Sequence, residues 1–88
     1  MPYRVEISPP AGKDLKRLPL QICERLEADI LALADDPYPE GMRKIQGTQR
    51  AYRIRMGSYR IVYEVYREQQ MVVILRVARR GKSTYKEI

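Results

Sequence analysis

The sequence predicts an α+β domain of order β-α-α-β-β-β, an antiparallel sheet with two N-terminal helices packed on one face. Three observations carry that prediction. The chain opens on a short period-two segment, continues through two stretches with helical spacing, and ends in three β-rich runs separated by turn residues. At 88 residues the chain, 1–88, reads as one domain, near the size where a single core suffices. An apolar fraction of 44% with 32% charged residues fits an ordinary globular chain.

Tyr3-Arg4-Val5-Glu6-Ile7 alternates apolar and polar residues, which suggests a short opening strand. Ser8 followed by Pro9 is a helix start: a hydroxyl cap, then a proline whose missing N–H costs nothing at the first position. A helix is expected from about Pro9 to Leu18, with Leu15 and Leu18 inward. Pro19 opens a second, longer helix to about Asp35. Its apolar stripe is Ile22, Leu26, Ile30 and Leu33, widened by Cys23 and Leu31. Asp36-Pro37-Tyr38-Pro39-Glu40-Gly41 breaks the helix, and 42–50 is expected to be basic and irregular. Strands follow at about 51–56, 59–66 and 71–78, the last two joined by Arg67-Glu68-Gln69-Gln70.

Composition excludes several chemistries. With no histidine and one cysteine, a zinc site and Ser–His or Cys–His catalysis lack their essential groups. No metal or cofactor is expected. The lone Cys23 allows no internal disulfide and suits a reducing cytoplasm. No apolar run approaches the ~20 residues of a membrane span, and Met1-Pro2-Tyr3-Arg4 has no signal-peptide apolar region. All seven aromatics are tyrosines, each with a hydroxyl that needs a partner when buried. Chemistry is left to Arg, Lys, Tyr and carboxylates.

The charge is divided. Residues 1–40 carry five Lys/Arg against eight Asp/Glu, whereas 41–88 carry twelve against three. Within the basic half, Gly57-Ser58 has the form of a two-residue type II′ loop, with Gly where φ must be positive. That loop fixes a register: Met56 faces Tyr59, Arg55 faces Arg60, Ile54 faces Ile61 and Arg53 faces Val62. Opposed residues share a face, so Tyr52, Ile54, Met56, Tyr59, Ile61 and Tyr63 point toward the helices. Arg53, Arg55, Arg60, Val62 and Glu64 point the other way, with Glu64 expected to temper the charge as an ion-pair partner.

Opposed arginines repel by about 1–4 kcal/mol at 4 Å in water-like to surface-like dielectric, less once salt screens them. Either the face is simply solvated and the side chains splay, or it is a preformed phosphate site, because guanidinium forks bind phosphate oxygens bidentately. Lys44, Arg50, Arg79 and Lys82 are candidates to extend the patch toward a nucleic acid. Charge alone does not separate RNA from DNA, or binding from cleavage. Lys13, Lys16 and Arg17 on the first helix read as a solvated face.

Several motifs together resemble the RelE/ParE toxin superfamily. They are Asp36-Pro37-Tyr38-Pro39, Lys44-Ile45-Gln46-Gly47, Tyr52-Arg53-Ile54-Arg55, Gly57-x-Tyr59-Arg60-Ile61-Val62-Tyr63, and the closing Val77-Ala78-Arg79-Arg80 with Tyr85. The likeness spans nearly the whole chain and is strongest to the RelE branch. It implies a toxin of a toxin–antitoxin pair: an endoribonuclease (mRNA interferase) that enters the ribosomal A site and cuts mRNA by 2′-hydroxyl attack, without a metal. By position, Arg53 and Arg55 stand where familiar members have two lysines. Arg60 matches the transition-state arginine, Arg80 the arginine that protonates the leaving 5′-oxygen, and Tyr85 the tyrosine that orients or deprotonates the 2′-hydroxyl.

The resemblance further implies a cytoplasmic protein, a cognate antitoxin that masks the basic face in a hetero-oligomer, and the ribosome and mRNA as targets. This chain departs from the pattern in two respects. Arg55 carries a guanidinium, which stays protonated in proteins and is a very poor proton acceptor, leaving the phenol of Tyr85 as the better base. Arg79 stands where many relatives carry histidine. Two other readings stay open: a ParE-like inhibitor of DNA gyrase without nuclease activity, and a nucleic-acid-binding module without catalysis.

Overall fold

The computed structural model describes residues 2–79. Its elements are β1 (Arg4–Ile7), α1 (Pro9–Lys16), α2 (Leu20–Ala32), β2 (Arg43–Lys44), β3 (Ala51–Met56), β4 (Tyr59–Tyr66) and β5 (Met71–Arg79). Among the described residues the strands form one sheet in the order β1-β5-β4-β3-β2. The α+β class and the strands of the second half stand as the sequence predicts. Two features differ. β1 runs parallel to β5, so the sheet is mixed rather than wholly antiparallel. The irregular segment contains a two-residue strand, β2, paired antiparallel with β3.

Local chemistry sets the helix ends. The Ser8 hydroxyl accepts a hydrogen bond from the Ala11 amide at 3.4 Å, and Pro9 and Pro10 occupy the first turn. α1 stops at Lys16, short of Leu18, because Pro19 has no amide to continue it. α2 also ends early, at Ala32. The next amides, from Leu33, Ala34 and Asp35, bond three residues back to Ile30, Leu31 and Ala32, tightening the last turn.

The core lies between the helices and one face of the sheet. Leu15, Leu26, Ile30 and Leu33 meet Ile54, Ile61, Tyr63, Val65, Val72, Ile74 and Val77. Burying side chains of this size contributes about 1.5–3 kcal/mol each. Ile22, Cys23 and Leu18 pack at its margin, whereas Leu31, expected to widen the stripe, is 63% exposed. The sheet covers a narrower arc of α2 than the full apolar stripe.

β1 pairs with only the first half of β5, from Met71 to Ile74. Beyond it, Ser8 and Asp14 bond the β5 backbone. The Ser8 amide donates to the Ile74 carbonyl at 3.0 Å, and the Ser8 hydroxyl to that of Leu75 at 3.2 Å. On α1, Asp14 is nearly buried at 9% exposure. Its carboxylate accepts from the Val77 amide at 2.9 Å and from two guanidinium nitrogens of Arg76 at 2.9 and 3.3 Å. A carboxylate thus replaces the missing strand. A register shift between Val62/Tyr63 and β5 lets Val72, Ile74 and Val77 all reach the core despite their uneven spacing.

Candidate nucleic-acid cleft

The β3–β4 hairpin has the register the sequence implies, with Arg55 opposite Arg60, Ile54 opposite Ile61 and Arg53 opposite Val62. Gly57 has φ +64, while Ser58 keeps a negative φ, which is the type II′ pattern. Ile54, Ile61 and Tyr63 are buried beneath the helices, and Tyr52, Met56 and Tyr59 are partly buried beside them. Arg53, Arg55 and Arg60 therefore share the opposite face.

Two loops bring a further arginine to them. Below the sheet edge, the Tyr63 hydroxyl donates to the Pro37 carbonyl at 2.9 Å. Tyr38 packs edge-on against Tyr52, ring centroids 5.5 Å apart. These contacts pin the Asp36–Pro39 loop. Burial, with Tyr52 and Asp36 close by, pushes the Tyr63 hydroxyl pKa well above the ordinary tyrosine value. Beyond Gly41, whose φ is +94, the chain turns into β2. The Thr48 hydroxyl then donates to the Ile45 carbonyl at 2.7 Å and accepts from the Ala51 amide at 3.3 Å, folding β2 back on β3. Arg43 lands opposite Arg53.

β2 begins only at Arg43, opposite Arg53, so it does not cover the end of β3 from Ile54 to Met56. A cleft of about 410 Å³ opens there, lined by Glu40, Gly41, Arg43, Arg53, Ile54, Arg55 and Arg60. Among the described residues, four guanidinium groups against one carboxylate give the lining a positive field, suited to an anion with several oxygens.

The other expected site residues are dispersed. Lys44 is opposite Tyr52, which puts it on the helix side of the sheet edge rather than with Arg53. Arg79 is opposite Tyr59 and lines a different cavity with Asp14, Arg17 and Ile22. Arg50, just before β3 at the end of the sheet away from the cleft, lines a separate cavity with Tyr38, Tyr52 and Val65, its guanidinium 4.8 Å from the Tyr66 ring centre. Glu64 does not make the expected ion pair among the described residues; it accepts the Tyr66 hydroxyl hydrogen bond at 2.8 Å. That bond and burial raise the Tyr66 pKa. Arg80, Lys82 and Tyr85 lie outside the described residues. Arg43 escaped sequence reasoning. Its signal is the Gly47-Thr48 turn, which makes 43–53 a second hairpin and aligns the two arginines.

Among the described residues no helix is long and apolar enough to cross a membrane. Comparison with known proteins agrees with the motifs. The family model described as the ParE toxin of type II toxin–antitoxin system, parDE, matches residues 5–83. Toxin RelG of Mycobacterium tuberculosis is 36% identical over 85 residues, covering 92% of this chain and 94% of that one. The mRNA interferase toxin RelE of Escherichia coli is 28% identical over 85 residues, covering 94% and 88%. The RelE–RelB complex of Pyrococcus horikoshii superposes with a TM-score of 0.81 at 32% identity, over 94% of this chain and all of that one. The chain therefore belongs to the RelE/ParE superfamily and is a RelE-like toxin of a type II toxin–antitoxin system.

Proposed function

We propose that the chain is an endoribonuclease that cuts mRNA on the ribosome by attack of a 2′-hydroxyl on the adjacent phosphate. The observation that supports it most is the convergence of Arg53, Arg55 and Arg60 on one cleft, fixed by the hairpin register. The relative named an mRNA interferase supports the same reading.

In this reaction the O2′–P bond forms and the P–O5′ bond breaks, leaving a 2′,3′-cyclic phosphate and a 5′-hydroxyl. Charge accumulates on the phosphorane oxygens, where Arg53, Arg55 and Arg60 supply fixed counter-charge. Tyr85 orients the 2′-hydroxyl and, as phenolate, takes its proton, while Arg80 delivers one to the departing O5′. Arg55 does not act as base. The reaction draws on no metal or cofactor, and the cytoplasm is where its target lies. Lys44, Arg50, Arg79 and Lys82 serve as contacts to RNA or the ribosome around the cleft. A cognate antitoxin, like the RelB chains of the solved complexes, restrains the toxin by covering this face in a hetero-oligomer.

The test is cleavage of mRNA on programmed ribosomes by the wild type and by Arg60→Ala and Arg80→Ala, with the product ends identified. Loss of cutting by about 10²-fold or more is expected; near-normal cutting by both variants would overturn the assignment. The family model's ParE description favours one second reading, inhibition of DNA gyrase without RNA cleavage. A supercoiling assay run beside the cleavage assay separates them.

A further inference from the structure

The cleft holds two rows of arginines, not one cluster. Arg55 and Arg60 face each other across β3 and β4. Arg43 and Arg53 face each other across β2 and β3. Arg53 and Arg55 are two residues apart on one strand, so the rows are stepped by about 7 Å along β3. That step is of the order of the separation between neighbouring phosphates along one nucleic-acid strand. Each row sets two forked cations side by side, an arrangement that a bridging anion would stabilise.

We propose that Arg43, beside Arg53, completes a second phosphate subsite, which holds the phosphate next to the one held by Arg53, Arg55 and Arg60 and shares Arg53 with it. The ligand class is a single-stranded polynucleotide engaged by two successive phosphates. The reaction reading of the cleft supplies the scissile phosphate; the second subsite adds the register in which the strand lies. Arg43 is then a positioning residue. It acts through the neighbouring phosphate and leaves the reacting atoms to Arg53, Arg55 and Arg60. β2 exists to present it: a two-residue strand, held by the Thr48 staple, is long enough to align one side chain with Arg53 and short enough to leave the cleft open. Glu40, on the same lining, makes one end of the cleft less favourable to phosphate and so limits the path of the strand.

Binding of adenosine 3′,5′-bisphosphate, 3′-monophosphate and 5′-monophosphate to the full chain, followed by calorimetry or NMR, tests this. The wild type should bind the bisphosphate about tenfold more tightly than the better monophosphate. Arg43→Ala should erase most of that gain yet leave the better monophosphate within about twofold, and Arg43→Lys should keep part of it, having charge without the fork. With a short single-stranded RNA, Arg43→Ala should lower the slope of log affinity against log salt by about 0.7. On ribosomes the same variant should raise the half-saturating concentration while kcat stays within about threefold.

An unchanged bisphosphate gain in Arg43→Ala overturns the subsite. So does equal weakening of every nucleotide, which would make Arg43 part of a general field. A collapse of kcat would place Arg43 at the scissile phosphate, also against the proposal. An intact bisphosphate gain in a protein that cuts no mRNA would instead defeat the ribonuclease reading and leave the subsite standing.

Discussion

On the side of β3 and β4 that meets the helices, Tyr52, Ile54, Ile61 and Tyr63 fill space and satisfy their one buried hydroxyl through Pro37. On the other side of the same residues' backbone, Arg53, Arg55 and Arg60 gather like charges around an open cleft. The inner face gains from every contact it makes. The outer face sets like charges against one another, and the buried Ala51 and Val62 among them show that it is not bare solvent. Alternation lets one hairpin serve both ends: what the core gains from burial offsets what the arginines cost by repulsion. Substitutions on the two faces should therefore separate stability from activity.

The largest change in stability is expected inside. Ile61→Ala empties a fully buried position and should cost about 2–5 kcal/mol in urea unfolding. Arg60→Ala, on the adjacent residue, should reduce cleavage by 10²-fold or more and change unfolding stability by no more than about 1 kcal/mol. If both variants lost stability equally, the division between faces would be wrong. Asp14→Ala should cost about 2–4 kcal/mol, because it strands the buried Val77 amide and removes the ion pair with Arg76 at an edge β1 does not reach.

Smaller effects sharpen the contrast. Gly57→Ala forces a positive φ on a side chain and should cost about 1 kcal/mol. Tyr63→Phe should cost about 1 kcal/mol by removing the bond to Pro37. Its pH signature is specific. The folded Tyr63 pKa is raised above the unfolded value, so its contribution is intact below about pH 10 and is lost as pH rises beyond that. Stability of the wild type should fall more steeply with pH in that range than stability of the phenylalanine variant. Parallel curves would mean that Tyr63 is not held protonated by burial.

Much of this was legible in the residues. Gly57-Ser58 specifies one turn, and period-two alternation on both flanking strands agrees with the register that turn imposes, so the arginine face followed without coordinates. The parallel partner of β1 was not legible, because pairing between Arg4 and Met71 leaves no local pattern. β2 is too short to show a period. Asp14 reads as an ordinary solvated helix acid, and only the gap left by β1 gives it a buried role. Leu31 fits a helical stripe by spacing, but spacing does not say how wide an arc the sheet covers. The cleft was half legible: three arginines came from one hairpin and the fourth needed a turn built on a threonine hydroxyl.

The parallel pairing of the first strand with the last has a consequence for synthesis. β1 leaves the ribosome early and waits for β5, some 65 positions later in the chain, before its backbone groups find their partners. Until then α1 has no edge to close and the Asp14 carboxylate has no amide to receive. The nascent chain stays incomplete, with β-edges and apolar surface uncovered, until β5 has been made. Closure of the sheet then waits on a pairing between its first strand and its last.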